Sequence, residues 1–346
     1  MHQRQIPCVS NHTWPIKNST LFFLNLFSLC QMDIQRSLEL LHMTIYTQSV
    51  SPCGRYLAAG NNYGEIAVFS LSAALSSEAK EESKKPVVCF AAHSGAIYAM
   101  VSTDRQLLSA GNGEVKAWNW SEIVKKYDCK EAWSRRPLWV KPNLKCQKST
   151  DNSLLMAGGD CVIHMMDLET GAFTREFHGH TDYIQCLALR EQLRECLSGS
   201  EDGTVRLWGK CLLCRQTLEC SRPQNGKWIS CLATDSDWMV CGGGPTLTLW
   251  HLRSVTPTTI FPLPQCQQQA MFYQDLILSA GHSPTINHLQ ISGEVKAQIP
   301  CLPRCVHSIS INERSAEHKA LTAAGSSHFI DVFTNFGYRA FSLIFT

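Results

Sequence analysis

The sequence lacks an apolar run long enough to cross a bilayer. Its best candidate, Leu21–Cys30, is far shorter than the roughly 20 residues that a spanning helix needs. It has the length of a signal-peptide core, but a long leader precedes it and no small-x-small cleavage site follows. The glycosylation sequons at Asn11 and Asn18 lie on its N-terminal side, which does not suit a secreted protein. We therefore predict that residues 1–42 are an N-terminal extension, poorly ordered or helical. An isoform or a gene-model product would explain the segment equally well.

The sequence also lacks an excess of charge of one sign. Its 31 basic and 29 acidic residues leave a net charge of +2, whereas a surface dedicated to nucleic-acid backbones usually makes a domain basic. A loose basic cluster is interrupted by Asp128 and Glu131 and is typical of a solvated loop. The members of that cluster are Lys125, Lys126, Lys130, Arg135 and Arg136.

Motifs for catalysis, cofactors or metals are absent or incomplete. Cys211 and Cys214 have C-x-x-C spacing, but no second pair completes a zinc site. The run Gly242–Pro245 has no Lys-Ser/Thr after it and indicates a hairpin turn rather than a phosphate loop. No set of convergent carboxylates is recognisable. We predict a protein that is not an enzyme, with no cofactor, no metal and no small-molecule substrate.

The 17 cysteines are an odd count, and several lie in apolar strand patterns. Free cysteine behaves as a small buried hydrophobe. The count therefore indicates a reducing compartment rather than a disulfide framework. The cysteines in strand patterns are Cys89, Cys161, Cys186, Cys231 and Cys241.

One short pattern is present seven times. A run of small residues leads into an alternating strand that closes on a bulky apolar residue, about every 40 to 45 residues, which is typical of WD-repeat propeller blades. The closing residues are Phe69, Trp118, Met166, Trp208, Trp250, Leu289 and Phe333. The sequence thus predicts an all-β fold, a seven-bladed WD40 β-propeller over residues 43–346.

Each repeat reads as four strands, a to d, most clearly in blade 4. There, strand a is Tyr183–Leu189, strand b Glu195–Gly199, strand c Thr204–Trp208 and strand d about Leu212–Leu218. The C-terminal segment Gly337–Phe345 supplies the outermost strand of blade 7, so we expect the ring to close by packing between blades. Residues 137–151 show little alternation, which makes strand a of blade 3 the weakest.

Four residues of blade 4 have the types and spacing of a buried hydrogen-bond chain. His180, Ser198, Asp202 and Trp208 can link an indole N–H to a carboxylate and so satisfy each buried polar group. A Ser-His-Asp catalytic triad is the competing interpretation, but no nucleophile elbow surrounds Ser198. His93, at the end of blade 1, suggests a second, incomplete copy.

Two aromatic residues occupy the same place in adjacent blades. Tyr183 and Trp228 each stand at the start of strand a, which usually opens onto one face of a propeller near its channel. Aromatic side chains there are candidate anchors for a partner, and ordinary packing at the strand entry is the alternative.

Three segments outside the repeat consensus carry a resemblance to a known family. They are Glu78–Val88, Ala233–Pro245 and Val332–Leu343, and they resemble the WD-repeat subunits of the animal THO/TREX assembly. Similarity runs from about Leu41 to Phe345. The sequence departs from the family in residues 1–36, 137–152 and 209–220, where Gly209 replaces the Asp that normally follows the tryptophan.

The resemblance implies a nuclear scaffold that acts through protein–protein contacts. Its expected partners are other THO subunits, notably the coiled-coil pair of subunits 5 and 7. Messenger RNA is expected only indirectly, through a complex that couples transcription and processing to export. The expected location is nuclear speckles, with shuttling left open, and no membrane contact is expected. Another WD40 adaptor, such as a substrate receptor of a ubiquitin ligase, is the alternative, although the segments after Trp208 and Trp250 lack the Asp of a Trp-Asp-x-Arg motif.

Overall fold

The structure is a computed structural model, and it describes most of the chain. The described residues are 34–125, 129–136, 145–149, 151–190, 193–209, 214–220, 226, 228–244 and 246–346. The chain divides into two units, Met1–His42 and Met43–Thr346. The apolar run Leu21–Cys30, the two sequons and Cys211 of the C-x-x-C pair lie outside the described residues.

In the first unit, residues 34–41 are helical. Ile34, Leu38 and Leu41 are exposed on this helix, at spacings that place them along one side. Arg36 forms an ion pair with Glu39, one turn further on, at 3.0 Å.

The second unit consists of seven four-stranded antiparallel sheets, each built from four strands that are consecutive in the chain. The strands of blades 1 to 4 are β1 (Ile45–Val50), β2 (Tyr56–Asn61), β3 (Glu65–Ser70), β4 (Val88–Ala91), β5 (Ile97–Ser102), β6 (Gln106–Gly111), β7 (Glu114–Asn119), β8 (Glu131–Arg135), β9 (Lys145–Lys148), β10 (Ser153–Ala157), β11 (Val162–Asp167), β12 (Phe173–His178), β13 (Ile184–Arg190), β14 (Glu195–Ser200), β15 (Thr204–Trp208) and β16 (Cys214–Glu219).

The strands of blades 5 to 7 are β17 (Ile229–Asp235), β18 (Trp238–Gly243), β19 (Thr248–His251), β20 (Thr256–Ile260), β21 (Gln267–Tyr273), β22 (Leu276–Gly281), β23 (Thr285–Gln290), β24 (Val295–Pro300), β25 (Val306–Ile311), β26 (Leu321–Gly325), β27 (Phe329–Phe333) and β28 (Phe341–Ile344). The prediction of a seven-bladed propeller is confirmed. Short helical turns at Leu71–Ala74, Glu81–Lys84 and Trp120–Val124 lie in the connections between strands c and d of blades 1 and 2.

Blade 4 shows why these residues form hairpins. Strand β14 is buried at every position, and its small residues allow the neighbouring blade to approach closely. The turn into β15 contains Gly203 at φ 86°, a left-handed conformation that favours glycine. Strand β16 pairs with β15 through Cys214 to Glu219, so strand d ends one residue later than the sequence predicts; its predicted start, Leu212, lies outside the described residues.

The seven closing residues lie in the third strand of each sheet and join neighbouring blades. Trp208, for example, packs with Leu155, Ile163 and Phe177 of blade 3. Trp118 packs in the same way on blade 1 and Leu289 on blade 5. Six of the seven are buried, and Trp250 is half-buried. These side chains fill the wedge between blades with apolar surface, which is the main stabilising contribution in such a core.

The ring closes without an exchange of strands between the chain ends. Strand β28, from the C-terminus, pairs with β27 of its own blade, as the sequence predicted. Blade 7 is held to blade 1 by side chains: Gln48 Nε2 donates to the Ser308 carbonyl at 3.0 Å, and Asn312 Nδ2 donates to the Gly54 carbonyl at 2.7 Å. The fully buried rings of Phe69 and Phe345 meet edge to face, with centroids 6.5 Å apart.

The weak stretch 137–151 contains strand a of blade 3 as the short strand β9, which pairs with β10. One detail differs from the sequence analysis. Of the five cysteines placed in apolar strand patterns, Cys231 and Cys241 are buried, but Cys89 is exposed, because it lies on the outermost strand of blade 1. All cysteines among the described residues are free thiols.

Candidate interaction surface

The structure brings the four predicted residues of blade 4 into one chain of hydrogen bonds. Trp208 Nε1 donates to Ser198 Oγ at 2.7 Å, and Ser198 Oγ lies 2.7 Å from His180 Nε2. His180 Nδ1 lies 2.7 Å from Asp202 Oδ2. With the His180 proton on Nδ1, each hydrogen points along the chain from the indole to the carboxylate.

Asp202 ends this chain and also organises the turn around it. Its carboxylate accepts hydrogen bonds from the Thr204 hydroxyl at 2.7 Å and from the backbone N–H of Thr181 at 3.1 Å. Burial acts to raise the pKa of Asp202, but the hydrogen bonds from His180 and Thr204 outweigh it and hold the pKa well below its usual value. The carboxylate is therefore ionised and fully engaged in holding the b–c turn.

The same geometry argues against a catalytic triad. Ser198 is 0% exposed, and His180 is also buried, so no substrate carbonyl can reach the hydroxyl. The hydroxyl oxygen already accepts the indole N–H of Trp208. A serine in this position is built to satisfy buried neighbours rather than to attack a substrate.

His93 belongs to a second copy, in blade 2 and not in blade 1 as the sequence analysis placed it. His93 Nε2 lies 2.8 Å from Ser109 Oγ, which accepts a hydrogen bond from Trp118 Nε1 at 2.9 Å. The segment before a strand a contributes its histidine to the blade that this strand begins, so His93 belongs to blade 2. Glu114 Oε1 lies 3.4 Å from His93 Nδ1, in a geometry that leaves this nitrogen without a hydrogen bond.

Other blades carry polar links that the sequence analysis missed. In blade 3, Asp160 Oδ2 lies 2.6 Å from His164 Nε2. In blade 6, Gln298 Nε2 donates to Asn287 Oδ1 at 2.9 Å. In blade 5, Cys241 stands at the position of Ser198, and the indole N–H of Trp250 has no hydrogen bond. The residues that form these links differ from blade to blade. Only the cross-strand register shows that their positions correspond to those of the chain in blade 4.

Tyr183 and Trp228 each directly precede the first strand of their blade. Trp228 is 42% exposed, and Tyr183 is half-buried. The Trp228 indole lies against two glycines, because an added Cβ would come within 2.5 Å of its ring at Gly226 and within 2.8 Å at Gly244. The glycines let the backbone support one side of the indole, which holds a large aromatic surface on the face of the propeller where the first strands begin. We call the part of this face around Trp228 and Tyr183 the rim.

A channel runs through the ring and is lined by the first strand of every blade. Its volume is about 390 Å³. Its mouth, at the end where these strands begin, is lined by one residue from each blade, which we call the channel-mouth ring. The members of this ring are Tyr46, Tyr98, Lys145, Gln185, Ser230, Gln268 and His307. The sequence analysis missed the ring, although its members share one signal: six follow the first residue of a strand a, and Lys145 begins β9.

Basic side chains near strand β8 are largely paired. Arg136 Nη2 lies 3.2 Å from Glu114 Oε2, and Lys116 Nζ lies 3.2 Å from Glu131 Oε2. The Arg135 guanidinium stacks over the Trp133 ring at 5.9 Å. Lys126 and Asp128 of the predicted cluster lie outside the described residues. Of the described members of this cluster, Arg136 is therefore ion-paired and Arg135 is stacked on an aromatic ring.

The described part of the chain contains no candidate membrane span and no candidate metal site. Within these residues no helix combines the length and apolar character that crossing a bilayer requires. Within the same residues no group of three or more His, Cys, Asp or Glu side chains is placed to hold a metal ion.

Comparison with known proteins places these features in a family. Residues 171–209, which include all of strands β13 to β15, match the WD domain, G-beta repeat family. The chain is 62% identical to the THO complex subunit 6 homolog of Mus musculus and to THO complex subunit 6 of Homo sapiens, each over 91% of this chain and 96% of the relative. It is 55% identical to the homolog of Danio rerio, over 89% of this chain and 99% of the relative. The chain, a seven-bladed propeller with this degree of similarity along nearly its whole length, belongs to the THO complex subunit 6 family.

Proposed function

We propose that this protein is a nuclear, non-enzymatic scaffold subunit of the THO/TREX complex. The observation that carries the proposal is the 62% identity to THO complex subunit 6 over 91% of the chain. In this role it helps to couple transcription and processing of messenger RNA to export, through contacts with other subunits. The proposed location is nuclear speckles, with messenger RNA contacted only through the complex.

The architecture supports such a role on physical grounds. Each blade is fixed to the next by buried side chains, so the turns and connections at the two faces can vary without loss of the core. A rigid ring with two faces can hold several partners at set positions. The buried Ser198 gives no support to hydrolytic chemistry.

The proposed partner is the coiled-coil pair of THO subunits 5 and 7. A coiled coil offers apolar and charged side chains along one helical face, which suits docking on a shaped surface. The rim around Trp228 and Tyr183 is the proposed contact. A large aromatic surface already held by the backbone loses little entropy on binding, which is typical of interface anchors.

Affinity purification of the tagged full-length chain from nuclear extract tests the proposal. We expect THO subunits to co-purify, and cross-links from subunits 5 and 7 to fall on the propeller. Recovery of cullin-adaptor proteins in their place would favour a ubiquitin-ligase receptor. Such a receptor would use the arginine of a Trp-Asp-x-Arg motif, and Arg253 stands three residues after Trp250. Arg253 forms an ion pair with Asp237 of its own blade at 2.7 Å. Recovery of neither group would contradict the proposal.

A further inference from the structure

The channel-mouth ring contains a cation without a counter-ion. Lys145 Nζ contacts the Tyr98 carbonyl at 3.4 Å, and no carboxylate among the described residues forms an ion pair with it. None of the described residues that line the channel is an aspartate or a glutamate. An ammonium group has three donors, so two of them face the cavity without a protein acceptor in the described part of the chain.

The surroundings of Lys145 favour an incoming anion. Its neighbours Cys146 and Cys186 have pKa values raised to about 12 by burial, so both thiols are neutral. Burial also lowers the pKa of Lys145, because it disfavours the charged ammonium. A negative charge bound beside it would stabilise the ammonium again. A half-buried charge that lacks a partner is costly unless something pairs with it.

Neutral donors stand on the same side of the mouth. The Tyr46 and Tyr98 rings lie 5.5 Å apart and line the cavity, and the Tyr46 ring also contacts His307 at 5.2 Å. The Tyr46 and Tyr98 hydroxyls make no hydrogen bond to the rest of the described chain. Phenol hydroxyls and one ammonium can together solvate an oxyanion that bears a single charge.

A carboxylate beside the ring, in contact with Gln185, is already engaged. Glu201, in the b–c turn of blade 4, accepts a hydrogen bond from Gln185 Nε2 at 2.5 Å. Gln268 and His282 are likewise in contact with each other, at 3.1 Å. The unused donors include the ammonium of Lys145 and the hydroxyls of the two tyrosines, on the arc formed by blades 1 to 3.

We propose that the channel mouth binds a carboxylate through Lys145 and the neighbouring Tyr46 and Tyr98. The mouth has a volume of about 170 Å³, well below the roughly 300–1,000 Å³ of pockets for drug-sized ligands. It therefore takes a small group, either a free carboxylate or an acidic side chain that a partner inserts. A single cation matches a monoanion better than a phosphate dianion. This inference does not depend on the proposed role in THO.

Calorimetric titration of the full chain tests the site with defined probes. The probes are butyrate, the peptide acetyl-Ala-Glu-Ala-amide, its Gln counterpart and inorganic phosphate. We expect butyrate or the Glu peptide to bind in the millimolar range, and the Gln peptide at least tenfold more weakly. Tighter binding of butyrate indicates a free carboxylate as the ligand, and tighter binding of the Glu peptide indicates a partner's side chain. Binding of neither, or preference for phosphate, overturns the proposal.

Substitutions locate the site and guard against unfolding. Lys145→Met should weaken carboxylate binding at least tenfold, Lys145→Arg should retain it, and Lys148→Met, in the same strand β9, should leave it unchanged. Equal binding by the wild type and Lys145→Met overturns the proposal. If Lys145→Met unfolds, the wild type still decides: the NMR resonance of Lys145 Cε, assigned with Lys145→Arg, must move on addition of the bound carboxylate. No movement of that resonance on binding overturns the proposal.

Discussion

At the scale of single residues, His180 is the central link of the blade 4 chain, and its removal has a predictable cost. His180→Ala leaves the Ser198 hydroxyl and the Asp202 carboxylate each without a partner on that side. An unsatisfied buried polar group costs about 1–3 kcal/mol, so we expect the free energy of unfolding in urea to fall by that amount.

His178→Ala and His93→Ala are the comparison variants for this measurement. His178 is close in sequence but its side chain is 67% exposed, so His178→Ala should change the unfolding free energy by no more than about 0.5 kcal/mol. His93→Ala should cost less than His180→Ala, because Nδ1 of His93 has no hydrogen bond to lose. Equal losses for His180→Ala and His178→Ala would show that the chain contributes nothing to stability.

Asp202 makes the same chain sensitive to acid. Its pKa in the folded protein is depressed, because the hydrogen bonds from His180 and Thr204 outweigh the effect of burial. A depressed carboxyl pKa gives stability that is present above the unfolded-state value, about 3.9, and is lost as the pH falls below it. We expect the difference in unfolding free energy between the wild type and Asp202→Asn to be constant from pH 7 to about 5. Below about pH 4 the difference should shrink.

The exposed Asp104 is the matched control for the substitution itself. Asp104→Asn, at a surface position, should change the free energy of unfolding at pH 7 by no more than about 0.5 kcal/mol. A difference for Asp202→Asn that stays flat down to pH 3 would mean that the carboxylate is not held in its ionised form by this network.

At the scale of elements, the closing strand β28 depends on one side chain. Phe345 is fully buried and meets Phe69 of blade 1, whereas Phe341 in β28 is only half-buried. Phe345→Ala should cost about 3–5 kcal/mol, the range for deletion of a buried aromatic ring, and Phe341→Ala clearly less. Thermal unfolding measures both, and similar losses would contradict closure of the ring by packing between blades 7 and 1.

The predictability of the elements follows from where each strand lies. Strands b and c are buried on both sides, so their small and apolar residues mark them in the sequence, as in β14. Outer strands such as β12 are mostly exposed, and their sequence carries little pattern. Strand β9 is short and has charged residues at both ends, so the sequence indicates only a weak strand there.

The candidate site was only partly predictable for a related reason. The chain in blade 4 uses residue types that are rare inside an apolar core, so His180 and Ser198 are conspicuous in the sequence. The channel-mouth ring uses ordinary surface residues, one from each blade and of five different types. Only closure of the ring brings Lys145, Tyr98 and Tyr46 together, and their sequence separation hides that arrangement.

At the scale of the whole molecule, the balance of charge sets the expected behaviour toward RNA. With a net charge of +2 and with Arg136 and Lys116 ion-paired near β8, the isolated chain should bind single-stranded RNA more weakly than about 10 µM at physiological salt. Fluorescence anisotropy over a range of salt concentrations measures this. Submicromolar binding that weakens steeply with salt would instead reveal a basic surface and a direct role in RNA contact.

On the exposed rim of the propeller, loss of one side chain should affect assembly without affecting folding. Trp228 rests on Gly226 and Gly244 with much of its indole facing solvent, so Trp228→Ala should leave the melting temperature nearly unchanged. If the rim is the contact for THO subunits, the substitution should reduce their capture from nuclear extract at least tenfold, the effect of losing an interface anchor. Tyr183→Ala should act in the same direction. Tyr338→Ala is the control, because this exposed tyrosine lies between strands c and d of blade 7, at the opposite face. Capture that is unchanged by Trp228→Ala but lost with Tyr338→Ala would move the contact to that opposite face.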